Sequence, residues 1–145
     1  MKMKNIYIAG PMFSQAELEF NEQIAGKLEE CGFDVFLPQR SGYKMTELMK
    51  QMSADAARKM IFNKDYTAVQ NTDIVLIILD GRVIDEGACV ELGIGYAFGK
   101  SCFGLKTDPR SMMNGQINPM ISGCLLNIFY SITDLIKYFR CEVQV

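Results

Sequence analysis

Short apolar runs alternate along the chain with segments whose apolar residues recur every three or four positions. Ile6–Ala9, Asp34–Leu37, Asp73–Leu79, Cys102–Leu105 and Leu125–Tyr130 read as strands. Between Gln15 and Cys31, Phe20, Ile24, Leu28 and Cys31 fall at helical spacing among glutamates, and Gly32 supplies the usual stop. Leu48, Met52, Ala56 and Met60 mark a further helical region with a break near Ser53. Gly87–Lys100 and Ile132–Phe139 complete the helical set. The run at Asp73–Leu79 is apolar on both faces, so it belongs at the centre of a sheet.

Strands alternating with helices predict an α/β domain over residues 1–145. Its core is a five-stranded, mainly parallel, flavodoxin-like (Rossmann-like) sheet with helices on both faces. Ligands in such sheets bind beyond the carboxyl ends of the strands, near the point where strand order reverses. Interest therefore falls on Gly10–Ser14, on Asp80–Glu86 and on the loop after Leu105.

Composition narrows the chemistry. The 145 residues include no histidine, which excludes Ser-His-Asp and Cys-His catalysis and histidine metal sites, and makes carboxylates the first candidates for proton transfer near neutral pH. A net charge of −2 gives no basic excess for nucleic acid or a membrane surface. Five cysteines without CxxC spacing sit in apolar surroundings and read as small hydrophobes of a reducing compartment. The N-terminal residues are too few and too polar for a signal peptide, and no apolar run approaches the ~20 residues of a membrane span. A cytoplasmic protein is expected.

Glu91 is the most informative position. It is the only charge between Glu86 and Lys100, and an ionised carboxylate there is costly unless paired or turned to a wet cleft. Asp85 precedes the same helix, where an N-cap is the competing role. Asp65 borders the apolar face of its helix, where a solvated acid is the plain alternative. Gly10–Ser14 is a strand-to-helix turn able to turn backbone N–H groups to a ligand, although it lacks the glycine-rich phosphate signatures. Asn118-Pro119 suits a helix start.

Together these segments resemble the nucleoside 2-deoxyribosyltransferase family. The resemblance rests on Ile6-Tyr7-Ile8-Ala9-Gly10-Pro11, on Asn63-Lys64-Asp65 to Asn71-Thr72-Asp73-Ile74, on Asp85-Glu86-Gly87-Ala88-Cys89-Val90-Glu91-Leu92-Gly93 and on Asn118-Pro119-Met120. It implies a retaining exchange in which Glu91 attacks the anomeric carbon of a 2-deoxynucleoside and an incoming base displaces it. Asp65 would handle the proton of the base, Tyr7 would orient the nucleophile, and Asp85 would hold the sugar hydroxyls. Gly10 and Gly87 would lie at the substrate, and Gln39 is a candidate for reading the base. Asn118, contributed by a neighbouring subunit of a homo-oligomer, would meet the sugar 5′ end, with Met120 lining the base pocket. The partners implied are deoxynucleosides and free nucleobases, in nucleotide salvage, with no cofactor and no metal.

Two rivals stand beside it. A nucleoside 5′-monophosphate N-glycosidase of the same architecture would transfer the sugar to water and would need a cradle for a phosphate. The first turn offers Ser14 and no arginine, so a free 5′-hydroxyl is favoured. A non-catalytic nucleotide- or flavin-binding module is the other class, with Asp80 at the position of a receiver phosphoacceptor.

Overall fold

A computed structural model describes residues 2–143. Five parallel strands form the sheet: β1 (Asn5–Ala9), β2 (Asp34–Phe36), β3 (Ile74–Ile78), β4 (Ser101–Leu105) and β5 (Asn127–Phe129), in the order β2-β1-β3-β4-β5. The expected all-buried strand is the central one, with every residue of β3 buried. The order reverses between β1 and β3, whose registers pair Ile6 with Ile74 and Ala9 with Ile77. That reversal opens the crevice in which such sheets bind ligands.

The pleat divides the core in two. Ile6 and Ile8 of β1 and Ile74, Leu76 and Ile78 of β3 face α1 (Gln15–Glu30) and α7 (Ile132–Val143). Tyr7, Ala9, Val75, Ile77 and Leu79 face the opposite way, toward α4 (Ala54–Asn71) and α5 (Glu86–Ala97). Successive strand residues point to opposite faces, so the same alternation that buries β1 also commits Tyr7 to the α4/α5 side. The glycines of α5 have a use there. A Cβ at Gly95 would lie 2.6 Å from Val75 Cγ2, so only glycine lets this helix lie so close to β3.

Local signals mostly act as expected. Ser14 caps α1 through a reciprocal box with Glu17, and Gly32 ends that helix at φ 93°. The break near Ser53 is real. Met45–Leu48 forms a short α3, and Ser53 caps the long α4 through the Ala56 N–H. Pro38 follows β2 and starts a one-turn α2 (Pro38–Ser41). Asn118 caps α6 (Pro119–Ser122), with proline inside the first turn.

Candidate functional site

Glu91 lies on the buried side of α5, between the turns occupied by Ala88 and Leu92, which pack on the sheet. Asp65 lies on α4 four residues after Ile61 and four before the buried Val69. The two helices meet over β1, and the two carboxyl groups share the wall of a cavity of about 340 Å³. Ile61, Phe62, Tyr66, Val69, Val90 and Ile94 supply the rest of that wall, with Arg58 at its edge and Gly87 at its end. Tyr7 rises from the strand below, fully buried. Its ring stacks on Phe36 at 5.2 Å, which fixes the direction of the hydroxyl. That hydroxyl makes no formed hydrogen bond, yet lies close enough to Glu91 to favour the ionised carboxylate.

Burial among apolar side chains pushes Glu91 up to about 8, with the nearby charges of Asp65 and Asp85 adding to the effect. Burial also raises Asp65 to about 6, against the opposing pull of Lys64. Asp65 Oδ1 is buried with no hydrogen-bond partner, so the solvated surface acid is not what the fold makes of it. The Tyr7 phenol is raised in turn, first by burial and then by the two acids. Two carboxyl groups in one apolar cleft cannot both ionise cheaply, so near neutral pH they hold about one proton between them.

The remaining expected residues spread along the same edge of the sheet. Asp85 takes the capping role, accepting from the Ala88 N–H at 2.8 Å through Oδ2, and it also lines a neighbouring cavity of about 770 Å³. Gly87 adjoins it: a Cβ there would stand 3.3 Å from Asp85 Oδ2. Gly10 ends β1 beside Ile78, and a Cβ would meet Ile78 Cγ1 at 2.9 Å, so glycine keeps this turn tight against β3. Its neighbour Pro11 lines the Asp85 cavity. Asn118 lines a third cavity of about 190 Å³, while Met120 is 81% exposed and lines none of these three. Within one chain, then, Glu91, Asp65, Gly87 and Tyr7 come together, Asp85 adjoins them, and Asn118 and Met120 stand apart. Gln39 is occupied elsewhere. Its amide donates to Leu18 O and Glu22 Oε1 and accepts from the buried Asn21, tying α2 to α1. Among the described residues no three His, Cys, Asp or Glu side chains are grouped to hold a metal ion.

Three groupings at the site follow from the fold and not from the sequence. The loop at Gly42–Tyr43 covers Asp65: Gly42 lies against Asp65 Oδ1, and the Tyr43 ring receives Lys64 Nζ at 5.4 Å from its centre. Asp80 clasps the loop after β4, accepting from Thr107 Oγ1 and from the backbone N–H groups of Thr107 and Asp108. Arg82 and Arg110 line the Asn118 cavity from two different loops. Both arginines lie in segments that strand-end reasoning had singled out, so position held the signal although residue type was not used.

Residues 6–136 match the family described as nucleoside 2-deoxyribosyltransferase. A conserved protein of Enterococcus faecalis V583 superimposes with a TM-score of 0.82 at 28% identity, covering 97% of this chain and 99% of that one. A 2-deoxyribosyltransferase of Bacillus psychrosaccharolyticus superimposes at 0.77 with 25% identity, covering 96% and 95%. An uncharacterised protein of Ureaplasma parvum is 28% identical over 99% of this chain and 98% of its own length. The match spans β1 to α7 and takes in both buried carboxylates; the chain belongs to the nucleoside 2-deoxyribosyltransferase family.

Proposed function

We propose that the protein moves a 2-deoxyribosyl group between nucleobases through a covalent intermediate on Glu91. The observation that carries this reading is the pairing of Glu91 and Asp65 in one apolar cavity, with the Tyr7 hydroxyl beneath Glu91 and the Asp65 oxygen left without a partner. A Glu91 oxygen forms a bond to C1′ as the C1′–N bond breaks, and the proton of the pair passes through Asp65 to the departing base nitrogen. The incoming base then forms a new C1′–N bond, Glu91 leaves with its electron pair, and Asp65 takes the base proton. Two inversions retain the configuration.

The raised pKa values of the two carboxyl groups fit this order of events. As positive charge develops at C1′, the Glu91 carboxylate is stabilised most, which drives the shared proton toward Asp65 and the leaving group. The apolar wall of Ile61, Phe62, Val90 and Ile94 suits a flat base and keeps water from the glycosyl ester, favouring exchange over hydrolysis. The exposure of Met120 and its distance from the Glu91 cavity support a site completed by Asn118 and Met120 of a second copy. Activity recovered on mixing Glu91→Ala with Asn118→Ala chains tests that arrangement.

The reaction is tested by incubating the protein with a deoxynucleoside, or its monophosphate, and a second base. A new deoxynucleoside of the original configuration, with a sugar adduct on Glu91 in the quenched protein, is the expected result. Release of free sugar with neither adduct nor exchange overturns the transferase reading in favour of a glycosidase.

A further inference from the structure

We propose that Arg58 reads the nucleobase, so that the site selects bases with a carbonyl on the edge turned away from the sugar. This rests on the transferase reading of the Glu91 cavity and names the class of base it takes.

Arg58 lies on the same face of α4 as Asp65. Arg58, Ile61, Phe62, Asp65 and Val69 follow one another at helical spacing, and all of them line the cavity that holds Glu91. Two turns separate Arg58 from Asp65, about 10 Å along the helix axis. Arg58 is the only cation among the described residues that line this cavity. Asp65 and Glu91 serve the glycosidic bond. Tyr66 contributes its ring, which stacks on Phe62 at 5.7 Å and meets Phe98 edge-on at 5.9 Å. Gln39 is held by Asn21, Leu18 and Glu22. A base whose glycosidic nitrogen meets Asp65, and whose ring lies between Phe62 and the Val90–Ile94 wall, turns its far edge toward Arg58.

The guanidinium is free to meet that edge. Its Nη1 donates to Asp55 at 2.6 Å, but the two side chains are 65% and 86% exposed, and such a pair on a helix surface restrains an arginine only weakly. Nε and Nη2 have no acceptor among the described residues. A guanidinium donates through a planar fork and accepts nothing. In hypoxanthine and guanine, O6 and N7 are adjacent acceptors that match the fork, the pairing by which arginine most often reads guanine in a DNA groove. Thymine and uracil offer O4 alone. Adenine keeps N7 but sets its amine, a second donor, against the guanidinium, and cytosine has an amine in place of O4. The order expected is therefore 6-oxopurines first, thymine and uracil next, adenine and cytosine last.

The test is a competition in which thymidine donates the sugar and hypoxanthine and adenine are present together at equal concentration. The wild type is expected to form more deoxyinosine than deoxyadenosine by about tenfold or more, the discrimination of a bidentate arginine contact. Arg58→Gln should bring the two products close to parity, because an amide can donate to a carbonyl or accept from an amine. A structural role for Arg58 would lower both products together and leave their ratio unmoved. A wild-type ratio near one, or a ratio that Arg58→Gln does not change, overturns the proposal while the transferase reading stands. If no exchange occurs and that reading fails, calorimetric titration of each free base into the wild type and Arg58→Gln decides. Tighter binding of hypoxanthine than of adenine, lost in Arg58→Gln, supports the base contact. Equal binding, a preference that survives the substitution, or no binding of either base overturns it.

Discussion

Two groups of carboxylates stand at the same edge of the sheet and are treated in opposite ways. Asp80 and Asp108 are saturated with donors: Thr107 and the Asp108 N–H for the first, and the Gly81 N–H, Lys106 and Arg110 for the second. Those donors outweigh the cost of burial and hold Asp108 down at about 2. Asp65 and Glu91 have apolar neighbours in place of donors and rise to about 6 and about 8. A fold that only needed stability would satisfy both pairs, since an unpartnered buried polar atom costs about 1–3 kcal/mol. The contrast separates carboxylates that tie loops together from carboxylates kept available for a ligand.

Activity should break along that line. Glu91→Ala is expected to lower base exchange by about 10⁴-fold or more while leaving a folded chain, as loss of a covalent nucleophile does. Near-normal exchange would remove Glu91 from the role. Asp65→Asn should cost about 10²–10⁴-fold, the usual span for a general acid–base group, and should cost more for bases that leave poorly without a proton. A loss independent of the leaving base would make Asp65 a binding group only.

How far these roles could be read from sequence depends on how local their causes are. Glu91 was visible because a single charge in a thirteen-residue stretch of otherwise uncharged sequence contradicts its surroundings. The five-stranded parallel sheet was visible for a similar reason, since strand-like and helix-like hydrophobic periods alternate along the chain. Asp65 was ambiguous because what buries it is the loop at Gly42, more than twenty positions earlier, and α5, more than twenty positions later. Gln39 looked available to a base, and only the fold brings Asn21, Leu18 and Glu22 around its amide. Asp80 had the position of a phosphoacceptor, yet its oxygens are taken by a loop 27 and 28 residues away. The Asn118-Pro119-Met120 segment stands apart from Glu91 within the single chain, a separation that local sequence does not carry.

Stability should break along the same line with the opposite sign. Asp108→Ala removes the carboxylate partner of Lys106, whose side chain is only 10% exposed and keeps only the carbonyls of Leu79 and Arg110, and frees the Gly81 N–H. A loss of about 1–3 kcal/mol is expected, which for a chain of this size lowers Tm by about 2–4 °C per kcal/mol. An unchanged urea or thermal midpoint would show that the clasp contributes nothing.

Glu91→Gln should instead stabilise the protein, and the sign follows from proton linkage. The folded state holds the Glu91 proton up to about 8, against an ordinary value of 4.5, so between those limits it binds more protons than the unfolded chain. Stability of the wild type therefore falls as pH rises through that window, whereas glutamine has no charge to desolvate. The two proteins should melt together near pH 4 and diverge toward pH 9, the variant gaining about 1 kcal/mol, or about 2–4 °C. Partial exposure of the cleft keeps the gain this small. Parallel melting curves across that range would mean that Glu91 is as well solvated when folded as when unfolded, and the contrast with Asp108 would vanish.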